Sequence, residues 1–197
     1  MLLVPYKLDS VTIVGLGESA MDFVKKAWTE GQFWKPGELW GVNTAGYTFR
    51  CDKVWSMHDR ATMLDPDLPK DFLRDLGHVP VVTLEDVPEI ETCLVYPLSM
   101  LVKLFGTKNF KNTTAYMIAF ALACGVKDLW LFGTEFNYHG PNEVNERHQH
   151  CLKYWIGRAE ERGCRIHLPF GSALHEDEMY GFTTQPDFDM ELMRHGG

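Results

Sequence analysis

Long apolar runs are missing from this 197-residue chain. No stretch approaches the ~20 residues needed to span a bilayer, so no transmembrane segment is expected. The opening Met1-Leu2-Leu3-Val4 is broken by Pro5 and lacks the form of a signal peptide. Positive charge is scarce: 19 basic residues face 27 acidic ones, a formal net charge of −8. That balance argues against coating nucleic acid or an anionic membrane by bulk charge, while leaving room for a local basic pocket around one nucleotide. The five cysteines, Cys51, Cys93, Cys124, Cys151 and Cys164, are odd in number and form no C-x-x-C pair. Neither a disulfide framework nor a zinc cage is expected, and a reducing cytoplasm is the expected compartment. Internal repeats and low-complexity tracts are also absent.

What is present is an alternation of short apolar runs and helix-period segments, the pattern of an α/β sheet. Val11–Val14 is β-branched and stops at Gly15, so it reads as a buried first strand. Ala20, Phe23, Val24, Ala27 and Trp28 then recur at i, i+3, i+4, i+7 and i+8, one face of a helix ending at Gly31. Further strands are expected at 39–42, 53–57, 79–84, 93–96, 129–132 and 164–168. Thr113–Cys124, rich in Ala and Met, reads as a buried helix, and Leu152, Trp155, Ile156 and Ala159 mark another. Residues 97–112 read as a loop or lid because of Gly106 and Asn109. The expected architecture is a single α/β domain over residues 1–174, with a mostly parallel sheet and helices on both faces. Residues 175–197 read as an acidic C-terminal tail.

Ligands of an open parallel sheet bind outside the carboxyl ends of its strands. The residues expected there are Gly15-Leu16-Gly17-Glu18-Ser19, Asn43-Thr44, His58-Asp59 and Gly133-Thr134-Glu135. Gly15 and Gly17 would let the backbone approach a phosphate, and Ser19 would cap the following helix, whose amides favour an anion; a plain βα turn would look the same. No acid ends the second strand, where a dinucleotide ribose would be gripped; Asn43 stands there and is expected to bond a base or ribose. Asn112 is expected to cap the buried helix, with Thr113 and Thr114 offering hydroxyls and amides to a second part of a nucleotide. His139, His148 and His150 lie near Glu135, Glu143 and Glu146, which allows a metal site, a general base or a solvated loop. The spacing matches no standard zinc pattern, so no metal ligand is assigned. Asp65-Pro66-Asp67 has the D-x-D form but sits among prolines and reads as a turn. His78, His167 and His195 have no evident partner.

Several segments, in order, resemble one superfamily. TTAYMIAFALACGVKDLWLFGTEFNY, from Thr113 to Tyr138, is similar to the helix–strand–G-x-D-F segment of bacterial sialyltransferases that use CMP-sialic acid. It also resembles motility-accessory-factor and 6-hydroxymethylpterin diphosphokinase-like proteins. VTIVGLGESA resembles their opening strand and G-x-G-P-S-L loop, with Leu16 in place of Asn and Glu18 in place of Pro. Val42-Asn43 resembles their strand ending in a nucleotide-contacting Asn, CDKVWSMHD the P-D-x-x-x-x-x-D stretch, and Tyr154–Leu174 the closing helix, strand and P-x-S-x-L. The resemblance covers about two-thirds of the chain. It implies a Rossmann-like nucleotide-binding fold in which Gly15, Gly17, Ser19, Asn43, Asp59, Thr113, Thr114 and Gly133 surround the nucleotide. Glu135, in place of the usual Asp, and His148, the base before the closing helix, would be catalytic. The lid and its phosphate-binding tyrosines have no counterpart beyond Tyr96. The implied activity is transfer of a sugar from a CMP-sialic acid-like donor to the hydroxyl of a small molecule or glycan, with no cofactor required. Two alternatives are an ATP- and Mg²⁺-dependent phosphotransferase, with Asp59 and Glu135 near the metal, and a nucleotide-binding protein without catalysis.

Overall fold

A computed structural model describes residues 1–31, 34–63, 78–136, 143–170, 172 and 174. His139, the Asp65-Pro66-Asp67 turn and the acidic tail lie outside the described residues.

Strands β1 (Ser10–Val14), β2 (Glu38–Val42), β3 (Lys53–Trp55), β4 (Val81–Thr83), β5 (Cys93–Val95), β6 (Asp128–Phe132) and β7 (Arg165–His167) form one sheet in the order β5-β4-β3-β2-β1-β6-β7. Every strand pair is parallel. The first residues lie against β5, where Leu2 bridges Val95; the strands then start at the centre with β1, walk outward to β5 and return across to β6. The order therefore reverses between β1 and β6, a topological switch point.

Among the described residues, six helices accompany the strands: α1 (Ala20–Glu30), α2 (Ala45–Thr48), α3 (Arg60–Met63), α4 (Leu98–Phe105), α5 (Thr113–Ala123) and α6 (Glu143–Glu161). Side chains alternate across each strand, so the sheet has a core on either face. Val11, Ile13, Leu129 and Leu131 meet α5 and α6 in one; Val14 and Phe132 meet Ala20 and Phe23 of α1 in the other. The expected α/β architecture, Rossmann-like with helices on both faces, is the one observed. Helix α5 is apolar almost all round because it lies in the middle of the larger core. Its Phe120 packs on Trp40 and Trp55, and all three rings are fully buried. Each contributes about 1.5–3 kcal/mol by leaving water. Among the described residues no helix is long and apolar enough to cross a membrane.

Three elements depart from the expectations. The segment read as a loop or lid contains α4, whose Leu98, Leu101, Val102 and Phe105 follow helical spacing; Leu101 and Phe105 are buried and Gly106 ends the helix in the left-handed region. Helix α6 begins at Glu143, ahead of the apolar spacing that marks its later turns, so His148 lies within the helix rather than before it. On α1 only Ala20 and Phe23 are buried; Val24 and Trp28 face solvent.

Away from the carboxyl edge, Asp128 clamps β6 to the edge strand β7. Its carboxylate accepts bonds of 2.7 and 2.6 Å from Arg165 and pairs with His167 at 2.9 Å. The His167 ring also stacks on Trp130, 3.8 Å between centroids, so this histidine has partners the sequence did not reveal.

Candidate functional site

At the switch point, the turn expected to hold phosphate is packed against the loop after β6. Gly15 N–H donates to the Phe132 carbonyl at 2.8 Å and Gly17 N–H to the Gly133 carbonyl at 2.9 Å. A Cβ on Gly15 would collide with the Gly133 carbonyl oxygen; one on Gly17 would meet the Glu135 carboxylate and the Gly133 backbone. Both glycines are thus required for close approach of two loops of this chain, a role the sequence pattern cannot distinguish from close approach to a ligand. Ser19 makes no side-chain cap. Its hydroxyl accepts from Gly133 N–H at 2.7 Å and donates to Glu135 Oε1. The first α1 amides, Ala20, Met21 and Asp22, donate to the carbonyls of Gly17, Glu18 and Ser19.

Glu135 is 5% exposed and its Oε2 has no partner. Burial raises the pKa of its carboxyl, and the nearby acids Glu18 and Asp22 add to the rise. The structure therefore places Glu135 beneath the β1–α1 turn, outside the lining of the cleft that the remaining candidates form. A carboxyl group, with Gly15, Gly17, Ser19 and Gly133 around it, stands where a phosphate was expected.

The cleft lies alongside, over the carboxyl ends of β2 and β3, and encloses about 350 Å³. Val42 and Asn43 come from the end of β2, Met57 and His58 from the end of β3, and Phe136 from the loop after β6. The start of α5 contributes residues 110–113 and Tyr116, and α6 contributes His148. Five residues expected from sequence, Asn43, His58, Asn112, Thr113 and His148, meet here. Thr114 is fully buried in the helix body and does not line the cleft. Tyr96 is in the core, its hydroxyl donating to the Tyr116 carbonyl at 2.9 Å. Asp59 is exposed and caps α3, accepting from Thr62 N–H at 2.8 Å; that amide lowers its pKa. Asp59 and Glu135, the donors named for Mg²⁺, are thus held in separate roles. Among the described residues no group of three or more His, Cys, Asp or Glu could hold a metal ion.

Backbone strain converges on the same cleft. Asn43 (φ 49°) and Phe136 (φ 52°) are the non-glycine residues with positive φ among those described. Such conformations cost about 1–3 kcal/mol each and gather at ligand sites. Asn43 presents a buried side-chain oxygen that no protein donor reaches. Such an orphan acceptor costs about 1–3 kcal/mol, which a ligand donor would recover.

The walls are aromatic, and a lysine and two histidines stand among the uncharged polar groups. Phe110 packs on Tyr116 with centroids 4.7 Å apart, and Phe136 meets the His148 ring edge-on at 5.1 Å. His58, Lys111 and His148 line the cleft and, among the described residues, no carboxylate does, in a chain of net charge −8. Asn112 fixes the junction: its side chain accepts from Ala115 N–H at 2.8 Å, capping α5, and donates to the His148 carbonyl at 3.0 Å. Gln149 ties α6 to the β6 loop through the Glu135 carbonyl at 2.8 Å. Burial lowers the His148 pKa, with Arg147 adding to the effect. His150 is exposed and takes no part in the lining. Phe110, Lys111, Tyr116 and Phe136 were not singled out from sequence, although the first two adjoin the Asn112 cap and Tyr116 lies one turn beyond it. Grooves of about 370 Å³ beside α6 and β7 and about 430 Å³ beside α1 lie away from these strand ends and lack this convergence of polar groups. No family model matches the chain, and a search of curated proteins finds no match.

Proposed function

We propose that the chain binds a nucleotide-activated sugar in this cleft and transfers the sugar to an acceptor hydroxyl. The observation that carries the reading is Asn43: an acceptor atom kept buried and unpaired, on a residue in left-handed conformation, in a cleft whose described lining includes Lys111 and two histidines and no acid. A nucleotide supplies what these groups lack. Its base or ribose donates to Asn43 Oδ1, its flat ring packs on the aromatic wall, and its phosphate lies towards Lys111, His58 and the α5 amides. The ordered resemblance to sialyltransferases supports a CMP-sugar donor, although its glycine loop supports the fold rather than the site.

In the transfer, neutral His148 takes the proton of the acceptor hydroxyl. The acceptor oxygen bonds to the anomeric carbon as the bond from that carbon to the phosphate oxygen breaks, and its electrons leave with the phosphate. Lys111, His58 and the α5 amides would stabilise that charge in place of bulk water. A lowered pKa keeps His148 unprotonated at pH 7, the state a base requires.

A thermal-shift screen over CMP, UDP, GDP, ATP and their sugars tests the reading. A ligand at 100 times its Kd adds about 2.7 kcal/mol, or roughly 5–10 °C for a chain of this size. Release of nucleotide from a sugar donor, dependent on an acceptor, identifies transfer. Stabilisation without turnover leaves a binding protein; turnover of ATP that requires Mg²⁺ points to the phosphotransferase; no shift with any nucleotide defeats the proposal.

A further inference from the structure

Helix α4 and the chain that follows it hold charge of one sign. From Leu98 to Lys127 there are four lysines and no acid, within a chain of net charge −8. Lys103, Lys108 and Lys111 are exposed, and among the described residues no carboxylate pairs with them. Two apolar side chains stand with them. Met100 and Leu104, at i and i+4, are 42% and 55% exposed. They share with Lys103 the side of α4 turned away from Leu101 and Phe105, which are buried.

The surface continues onto α6. The chain after Phe105 runs back along that helix: the Phe105 carbonyl accepts from Arg158 at 3.4 Å, the Asn109 carbonyl from Trp155 at 2.7 Å, and Lys111 N–H donates to the Cys151 sulfur at 3.4 Å. Arg162, which is exposed, lies over the Phe105 ring at 5.0 Å and adds a cation to Lys103 and Lys108. The neighbouring acids are engaged or turned elsewhere. Glu161 pairs with Arg158 at 3.7 Å, and Glu160 lines the groove beside β7. Glu143 and Glu146 stand at the other end of α6, roughly 24–28 Å along its axis from Arg162. The acidic connection between β4 and β5 packs Val87 and Ile90 into the core on the opposite face of the sheet.

The combination selects the partner. A soluble polyanion would use the lysines and gain nothing from Met100 and Leu104. A neutral apolar partner would bury unpaired cations, which is costly. A bilayer with anionic headgroups above hydrocarbon takes both at once. Its negative leaflet repels the remainder of this acidic chain, so this face is the one that turns towards it.

We propose that the outward face of α4, with Lys108 and Arg162, is a reversible contact for an anionic lipid bilayer, in which Met100 and Leu104 enter the headgroup region. The proposal does not rest on the nucleotide reading, and Lys111, which also lines the cleft, is left intact in its test.

The full chain should sediment with vesicles of phosphatidylcholine containing about one-third phosphatidylserine, and stay in solution with phosphatidylcholine alone. Binding should fall more than tenfold as salt rises from about 0.05 to 0.5 M, where the screening length shrinks below ~5 Å. Lys103→Glu with Lys108→Glu should lower binding more than tenfold, whereas Lys25→Glu, on α1, should not. Met100→Ser with Leu104→Ser should lower it by a similar factor. Each variant should keep the circular dichroism spectrum of wild type. The five native cysteines are buried, so a polarity-sensitive dye can be attached through Leu104→Cys. Its emission should shift to the blue on anionic vesicles, and the same dye attached through Met21→Cys, on α1, should not respond. Absence of binding to anionic vesicles at low salt overturns the proposal, as does binding indifferent to Lys103→Glu with Lys108→Glu. Binding that this charge reversal removes, but that the serine pair leaves intact and the Leu104→Cys dye does not sense, refutes lipid contact. The surface would then serve a soluble polyanion, and heparin would compete with the vesicles.

Discussion

Asn43→Gly separates a residue held for a ligand from one held for the fold. In the free protein the substitution acts in three ways. It relieves the left-handed backbone of an L-residue at φ 49°, about 1 kcal/mol. It removes the buried Oδ1 that has no partner, another 1 kcal/mol or more. Against these, glycine adds freedom to the unfolded chain, a loss of about 0.4–1 kcal/mol. The position faces an open cleft, so no closed cavity is left. The sum favours the variant by about 1 kcal/mol, a rise in melting temperature of roughly 2–4 °C. Nucleotide affinity should move the other way, falling by about 1–2 kcal/mol, or roughly 5- to 30-fold, as the acceptor bond is lost. Asn43→Ala should lose the same affinity but keep the backbone strain, and so melt below the glycine variant. Differential scanning fluorimetry without ligand and titration calorimetry with the best nucleotide of the screen give the two numbers. A glycine variant that melts below wild type would show that the amide holds the fold together; unchanged affinity would remove Asn43 from the site.

His148→Ala should lower turnover by on the order of 100-fold or more with nucleotide affinity nearly unchanged, and His150→Ala should do little; equal effects in steady-state assays would reject the assignment. Because burial and Arg147 depress the His148 pKa, the working neutral form persists to lower pH than an ordinary imidazole near 6.5 allows. The rate should rise with pH through a midpoint below that value, and a midpoint above it would contradict the geometry. Gly17→Ala should lower the melting temperature of the ligand-free protein, since its Cβ would lie 2.9–3.0 Å from the Gly133 backbone and closer still to Glu135. Loss of affinity with unchanged melting would restore the phosphate reading of that turn. The bonds from Arg165, helped by His167, hold the Asp128 carboxyl at about 2, below its unfolded value, so its stabilisation is complete above pH ~4 and is lost as pH falls towards 2. Urea unfolding of wild type and Asp128→Asn should differ by a constant amount above pH ~4 and converge below it; a pH-independent difference would exclude the linkage.

The alternation of apolar runs was sufficient to identify the sheet, because β1, β2 and β6 are buried on both faces and their composition is the direct consequence of that burial. The buried helix α5 was legible for the same reason, and Asn112 was legible as its cap because a helix start needs a side-chain acceptor wherever the fold puts it. Asn43, Thr113 and His148 could be named from the same information, since in a parallel sheet the strand ends and the helices near them share one edge. Helix α4 was obscured by Gly106 and Asn109, two residues that follow it rather than interrupt it. The two glycines of the first turn carried an ambiguity that no local pattern resolves: a missing Cβ records that something comes close, and only the tertiary structure identifies it as the loop bearing Gly133 and Glu135. The left-handed backbone of Asn43 and Phe136, the orphaned oxygen of Asn43 and the exposure of Trp28 were likewise decided in three dimensions. Each depends on which distant segment packs against a residue, and that is set by how the strands are ordered across the sheet rather than by the residues next to it in the chain.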